Sequence, residues 1–305
     1  MSHRMPVTRE AAEILTALWE HIDRILLAYR LFGDDTRWAA TDMSPVAREK
    51  HALTRQLGPA GLWDERDASH AAAEAVHFTN QAADYLRGIA ALLRAVELDA
   101  PLAPVTRSLL ELVGHVYWLL DPRLSDSMRD RAARVYLSRL GDVTRAKTAA
   151  LAVKHPDAPR FGKAVRDLRR NTLNARFYPS EIEIGKSGAI RVRDQSTPGL
   201  AASLQYIEEV TGQTWNTEGM YAILSNSSHP TLYAAIEGLR DPNSIRLELA
   251  DTLWSYKLTR VAMLAFVRAW GITAAYHGLD HKQAGTLGEA IDGLPTPDPS
   301  TTRSR

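Results

Sequence analysis

Residues 105–120 read VTRSLLELVGHVYWLL. Pro101 and Pro104 stand before this run and Asp121-Pro122 follows it, so both ends carry helix-boundary signals. Apolar side chains occupy most sides of the predicted helix, and a helix of that kind is buried in a protein core. The run therefore predicts a central helix with other helices packed around it.

Apolar periodicity predicts further helices on both sides of the central one. The clearest places its apolar residues, from Ile14 to Tyr29, at steps of three and four, which makes a single stripe. Similar patterns, bounded by proline, glycine or aspartate, predict helices at about residues 45–56, 67–98, 126–140, 143–153, 158–173 and 244–276.

One segment departs from the helical pattern. Residues 181–193 alternate charged and apolar side chains on either side of the turn Gly185-Lys186-Ser187-Gly188. Period-two alternation around a short glycine-containing turn is typical of a β-hairpin. The predicted fold class is therefore all-α, a multi-helix bundle with a small β-hairpin insertion near residues 181–193.

The chain shows no internal repeat and no convincing linker between domains. We therefore predict one helical domain over residues 1–293. Residues 294–305 are rich in proline, serine, threonine and arginine, which predicts a flexible C-terminal tail.

Composition places the chain among globular proteins, with 45% hydrophobic and 24% charged residues. The first residues lack the apolar run of a signal peptide, and Arg268 interrupts the apolar run at residues 261–276. We therefore expect a cytoplasmic protein without a membrane partner. The absence of cysteine excludes disulfides, thiolate zinc sites and a thiol nucleophile.

Charge is spread unevenly along the chain, although the net charge is only +1. From Arg123 to Arg176 there are fourteen Lys and Arg against five Asp, a balance of +9, so the remainder sums to −8. Such asymmetry indicates an anionic partner or, alternatively, a basic face that is merely solvated. The candidate anion- or nucleic-acid-binding residues lie on one predicted helical stripe and beside it: Arg160, Lys163, Arg166, Arg169, Arg170 and Arg176.

Several catalytic patterns are incomplete. Gly185-Lys186-Ser187 ends like a phosphate loop, but a strand pattern follows it and Ser180 replaces a required glycine. Asp34-Asp35 lacks the third acid of a prenyl-diphosphate metal site. No histidine is separated from a preceding arginine by four to six intervening residues, which argues against a catalytic ribonuclease of the HEPN type.

Metal-binding patterns are also incomplete. The step Glu74-x2-His77 occurs once, whereas a di-metal bundle needs it twice. His277 and His281 could share a zinc ion only if a helix continued through Gly278. We therefore predict no metal and no cofactor.

Two polar clusters remain as candidate sites. Arg107, Glu111 and His115 follow one another at steps of four, so they share one side of the central helix and should form pairs there or with another helix. The second cluster comprises Tyr221, Ser225 and His229, with His229 at a boundary forced by a proline. Each cluster fits either a structural hydrogen-bond network or part of a ligand pocket.

The sequence resembles a group of uncharacterised actinobacterial all-helical proteins. The resemblance rests on three short motifs: Arg107-x3-Glu111, the following Tyr117-Trp118-Leu119-Leu120-Asp121-Pro122, and the later Tyr221-x2-Leu224-Ser225-x3-His229. The 30 Arg against 7 Lys agree with a high-GC source. The resemblance implies an all-helical fold and no established activity.

Three functions stay open. The first is a non-enzymatic binding or regulatory protein that contacts nucleic acid or another polyanion through the basic helix. The second is a small-molecule enzyme or ligand-binding bundle, in which the two polar clusters would converge on one pocket. The third is a helical scaffold that forms a homo-oligomer through an apolar helix face.

Overall fold

The structure, a computed structural model, describes residues 9–95, 102–124, 127–186, 189–212, 217–228 and 245–294. It is an all-α bundle with small antiparallel β-hairpins, which confirms the predicted fold class. Its α-helices are α1 Arg9–Thr36, α2 Pro45–Leu53, α3 Glu65–Ala95, α4 Leu102–Leu119, α5 Met128–Ala152, α6 Ala158–Asp167, α7 Asn174–Arg176, α8 Leu200–Thr211, α9 Thr217–Ser228, α10 Ile245–Tyr276 and α11 Lys282–Asp292.

Helix α4 lies at the centre, as its apolar sequence predicts. It packs against α3, α5, α8, α9 and α10. Leu109, Leu110, Val113 and Val116 are completely buried. Gly114 allows a close approach to α8, because a Cβ at that position would lie 2.8 Å from the Cα of Ser203. The backbones of α4 and α8 can therefore lie this close only because residue 114 has no side chain.

Helix α10 forms the other inner element. It packs on α1, α3 and α4, and Phe266 and Trp270 stack edge-to-face against Tyr29 of α1. Within the described residues, its segment Leu253–Tyr276 is the one span long and apolar enough to cross a membrane, and 72% of that window is buried inside the protein. The helix ends before Gly278, whose φ of +70° is a left-handed conformation that favours glycine.

Helix α5 differs from the prediction. The sequence predicts two helices, over residues 126–140 and 143–153, but one helix runs from Met128 to Ala152. Glycine inside a helix costs only about 1 kcal/mol relative to alanine, so Gly141 weakens the helix without ending it. Asp142 and Arg145 form an ion pair on the turn that follows. The expected boundary was therefore wrong.

The predicted hairpin is present. Strands β3 Ile182–Ile184 and β4 Ile190–Val192 pair antiparallel, with Ile182 opposite Val192. Arg193 binds both Glu181 and Asp130 of α5, which fastens the hairpin to the bundle. A shorter pair, Leu57–Gly58 with Gly61–Leu62 (β1 and β2), lies in the loop after α2 and was not predicted.

The buried apolar residues form one continuous cluster that extends from Leu15 in α1 to Ile291 in α11.

Buried polar contacts also join the helices. Glu49 of α2, which is 8% exposed, accepts hydrogen bonds from Arg131 of α5 and from the hydroxyl of Tyr276. The predicted tail, apart from Leu294, lies outside the described residues.

Candidate functional site

Helix α6 carries most of the predicted basic stripe. It packs on α5 and buries Gly162 and Val165, which leaves the other side of this short helix in solvent. Arg160, Lys163 and Arg166 are all exposed on it. None of the three forms an ion pair with any residue that the structure describes.

The chain continues from α6 into a π-helix, Leu168–Leu173. This wider turn keeps Leu173 buried and leaves Arg169 and Arg170 exposed, again without an ion-pair partner in the described part of the chain. We call Arg160, Lys163, Arg166, Arg169 and Arg170 the basic face.

Arg176 does not belong to the basic face. Its Nε lies 2.9 Å from Oδ2 of Asp67, a buried carboxylate in the first turn of α3. Tyr136 also donates its hydroxyl hydrogen bond to Asp67. Arg176 therefore joins α7 to the core, and unlike the five cations of the basic face it has a carboxylate partner.

Most of the remaining arginines in the basic third are also paired. Their partners are carboxylates from outside residues 123–176: Arg131 with Glu49, Arg134 and Arg123 with Asp121, Arg129 with Glu181, and Arg139 with Glu74. The segment's excess of +9 is therefore partly neutralised by acids outside the segment. The uncompensated charge concentrates on the basic face.

The first polar cluster forms within α4. The Nε of Arg107 lies 2.9 Å from Oε1 of Glu111, and Nδ1 of His115 lies 2.8 Å from the backbone oxygen of Glu111. The three residues pair along their own helix, as expected from their spacing. The ring of His115 also lies near Phe78 of α3, with the ring centres 5.6 Å apart.

Glu111 and His115 line an open cleft of about 840 Å³, which we call the α3–α4 cleft. Helix α3 contributes one face from Glu74 to Tyr85, α4 contributes the face from Ser108 to His115, and α5 contributes Asp142 and Arg145. The start of α8 closes one side. Sequence patterns did not identify this cleft, because they do not show how separate helices pack against one another.

Glu74 is the most buried acid of the cleft. Burial raises the pKa of the Glu74 carboxyl group; the ion pair with Arg139 opposes this shift, and nearby Asp142 adds to it. One of its oxygens, Oε2, is buried without a hydrogen-bond partner. His77 lies one turn further along α3, where its Nε2 is 3.0 Å from the side-chain nitrogen of Gln81.

The described part of the second polar cluster lies on α9. Tyr221 is exposed and Ser225 half-buried on α9, and neither lines the α3–α4 cleft. His229 lies outside the described residues. Arg107 is likewise absent from the lining, although it holds Glu111.

No group of three His, Asp or Glu side chains among the described residues is arranged to hold a metal ion. His277 is buried, and its Nδ1 lies 2.8 Å from the backbone oxygen of Thr273. His281 is exposed at the start of α11. The two histidines therefore stand on separate helical ends with Gly278 between them.

The chain matches no protein-family model, no curated protein and no solved structure.

Proposed function

We propose that this protein binds nucleic acid through the basic face, by contacts to phosphate groups. The observation that carries the proposal is a contrast within one segment. Arginines between Arg123 and Arg139 have carboxylate partners, whereas the five cations of the basic face have none among the described residues.

The geometry suits a row of phosphates. The basic face extends from residue 160 to residue 170, which is about 15 Å at 1.5 Å per helical residue. Arginine remains charged at any physiological pH, and its planar group donates paired hydrogen bonds to phosphate oxygens. Unpaired cations bind without first breaking an ion pair, so their full charge is available to the ligand.

Binding of this kind reads the backbone and not the bases, because phosphate contacts carry no sequence information. Asp157 and Asp167 are the nearest acids along the chain to the basic face, and both are exposed. We therefore expect sequence-neutral binding that falls steeply with salt. The role is non-enzymatic: nothing in the proposal requires a catalytic residue on α6.

The test compares two triple variants in a fluorescence anisotropy titration with labelled duplex DNA and single-stranded RNA at low salt. Arg160→Ala/Lys163→Ala/Arg166→Ala removes three charges from the basic face. The matched control, Arg30→Ala/Arg48→Ala/Arg55→Ala, removes three exposed arginines of α1, α2 and the loop after α2 that also lack a described ion-pair partner. We expect the first to weaken binding by at least about tenfold and the control to change it far less.

Two results would reject the proposal. One is an absence of binding by the unmodified protein at micromolar concentration in low salt. The other is an equal loss of affinity in both triple variants, since that would assign binding to net charge and not to α6.

A further inference from the structure

Helix α6 presents the basic face on a convex surface. The helix packs on α5 through a stripe that includes the buried Gly162 and Val165, and the chain then continues directly into the π-helix. Residues 151–157, which join α5 to α6, are exposed at every position. A ligand therefore meets the outside of a helix at this corner of the bundle.

The basic face offers little surface on which an unpaired base could stack. Between residues 156 and 176 the sequence contains one aromatic side chain, that of Phe161. Phe161 is half-buried and lies one turn before Val165, on the stripe that packs against α5. Proteins that hold single strands without sequence preference stack successive bases on aromatic rings. A single strand on the basic face would lack that stacking.

The cations of α6 lie on both flanks of its exposed side. Arg160, Lys163 and Arg166 are all exposed. Because an α-helix has about 3.6 residues per turn, Arg160 and Arg166 lie about 120° apart around the axis, with Lys163 midway between them. Two flanks can contact two strands at once, whereas a single row of cations contacts one.

These dimensions match the major groove of B-form DNA. That groove is about 12 Å wide, and an α-helix with its side chains has a diameter of about 10–12 Å. A helix in the groove has a phosphate backbone on each flank, where Arg160 and Arg166 are. The major groove of A-form RNA is deep and narrow, and side chains cannot reach into it. The same geometry therefore distinguishes a DNA duplex from an RNA duplex.

We propose that α6 lies in the major groove of duplex DNA, with Arg160 and Arg166 on the phosphates of opposite strands. This inference rests on the nucleic-acid binding proposed above and names the form of nucleic acid that the basic face takes. The contacts are still to phosphates, so the shape of the duplex and not its base sequence selects the partner.

The test is a fluorescence anisotropy titration of the full chain at low salt with four labelled probes of one mixed sequence. They are a DNA single strand, the DNA duplex, the corresponding RNA duplex, and a DNA duplex whose cytosines carry glucosylated 5-hydroxymethyl groups. A substituent on C5 of a pyrimidine projects into the major groove and leaves the phosphates unchanged. We expect the Kd of the plain DNA duplex to be at least about tenfold lower than that of each other probe.

Single variants test the two flanks. Arg160→Ala and Arg166→Ala should each raise the Kd for the DNA duplex more than the Kd for the single strand, because a single strand contacts one flank only. Arg30→Ala, at an exposed position of α1, is the matched control and should leave both Kd values within about twofold. Circular dichroism of each variant verifies that it is folded.

The outcomes separate this proposal from the one on which it rests. Equal Kd values for the DNA and RNA duplexes, or for the plain and glucosylated duplexes, would overturn major-groove binding and leave phosphate binding by the basic face intact. Tightest binding to the single strand would overturn it in the same way. Binding to none of the four probes at micromolar protein would reject both proposals.

Discussion

Gly114 of α4 lies against Ser203 of α8 so closely that a methyl group at position 114 would come within 2.8 Å of the Cα of Ser203. The neighbour is backbone and cannot rotate away, so any side chain here must separate the two helices. This contact holds α8, whose first residues line the α3–α4 cleft, against the central helix.

Replacing Gly114 with alanine should therefore destabilise the protein, although alanine is the better helix former. We expect a loss of about 1–3 kcal/mol in the free energy of unfolding, the usual cost of overpacking. Gly88→Ala on α3 is the control, because its new Cβ would make an ordinary contact 3.6 Å from Val105. Urea unfolding of both variants measures the difference, and equal stabilities would contradict the close approach of α4 and α8.

The pair of Arg131 and Glu49 should be costly to break. Arg131 is 3% exposed, and besides Glu49 it donates to the backbone oxygens of Leu119 and Asp121. Arg131→Ala would leave the Glu49 carboxylate buried without its ion partner, so we expect a loss of about 3–5 kcal/mol. Arg87→Ala removes the exposed partner of Asp84 and should cost at most about 1 kcal/mol. Thermal and urea unfolding provide the comparison.

Protonation of His277 should oppose folding in mildly acidic solution. Burial lowers the pKa of His277 below its usual value of 6.5 in the folded chain. The unfolded chain therefore takes up the proton first, so the stabilising contribution is complete above pH 6.5 and is lost as pH falls from there through the folded pKa.

His277→Gln keeps a hydrogen-bond donor but cannot titrate, so its stability should fall less than that of the unmodified protein between pH 7.5 and pH 5. Urea unfolding at both values measures the two declines. His281→Gln, at an exposed position, serves as the control. Identical declines in all three proteins would show that His277 does not contribute to the pH dependence.

Salt should reveal how many cations of the basic face meet phosphate. For duplex DNA, the logarithm of the association constant falls with the logarithm of salt concentration by about 0.9 per phosphate contact. Four or five contacts give a slope of about −4, and Arg160→Ala should make it shallower by about one. Anisotropy titrations over a range of sodium chloride concentrations measure both slopes. A slope near −1 for the unmodified protein would be incompatible with a row of contacts.

Local pattern was sufficient to predict several elements of the fold. The apolar run at residues 105–120 gave the position of the central helix, and alternation at residues 181–193 gave the hairpin. Both signals depend on neighbours within a few turns of chain. The continuity of α5 through Gly141 could not be read this way, because packing on other helices outweighs a small local cost.

Site prediction was limited by distant partners. The exposed cations of α6 were visible as a stripe, but Arg176 follows them closely in sequence and only the folded chain shows that Asp67 binds it. The α3–α4 cleft was less accessible still: Glu74 and His77 look like the polar flank of one amphipathic helix until α4 and α5 are placed beside them. Acids spaced three turns apart on α3 were the one available signal.

The position of α10 has a consequence for protein synthesis. This helix covers α1, α3 and α4, yet more than one hundred residues separate it from the end of α4. At about 5–20 residues per second, a ribosome needs roughly 6–25 s to make the intervening chain. During that interval the surface of α4 that α10 covers stays open, so nascent chains with α10 still unmade are more exposed to aggregation and to capture by chaperones than the complete chain.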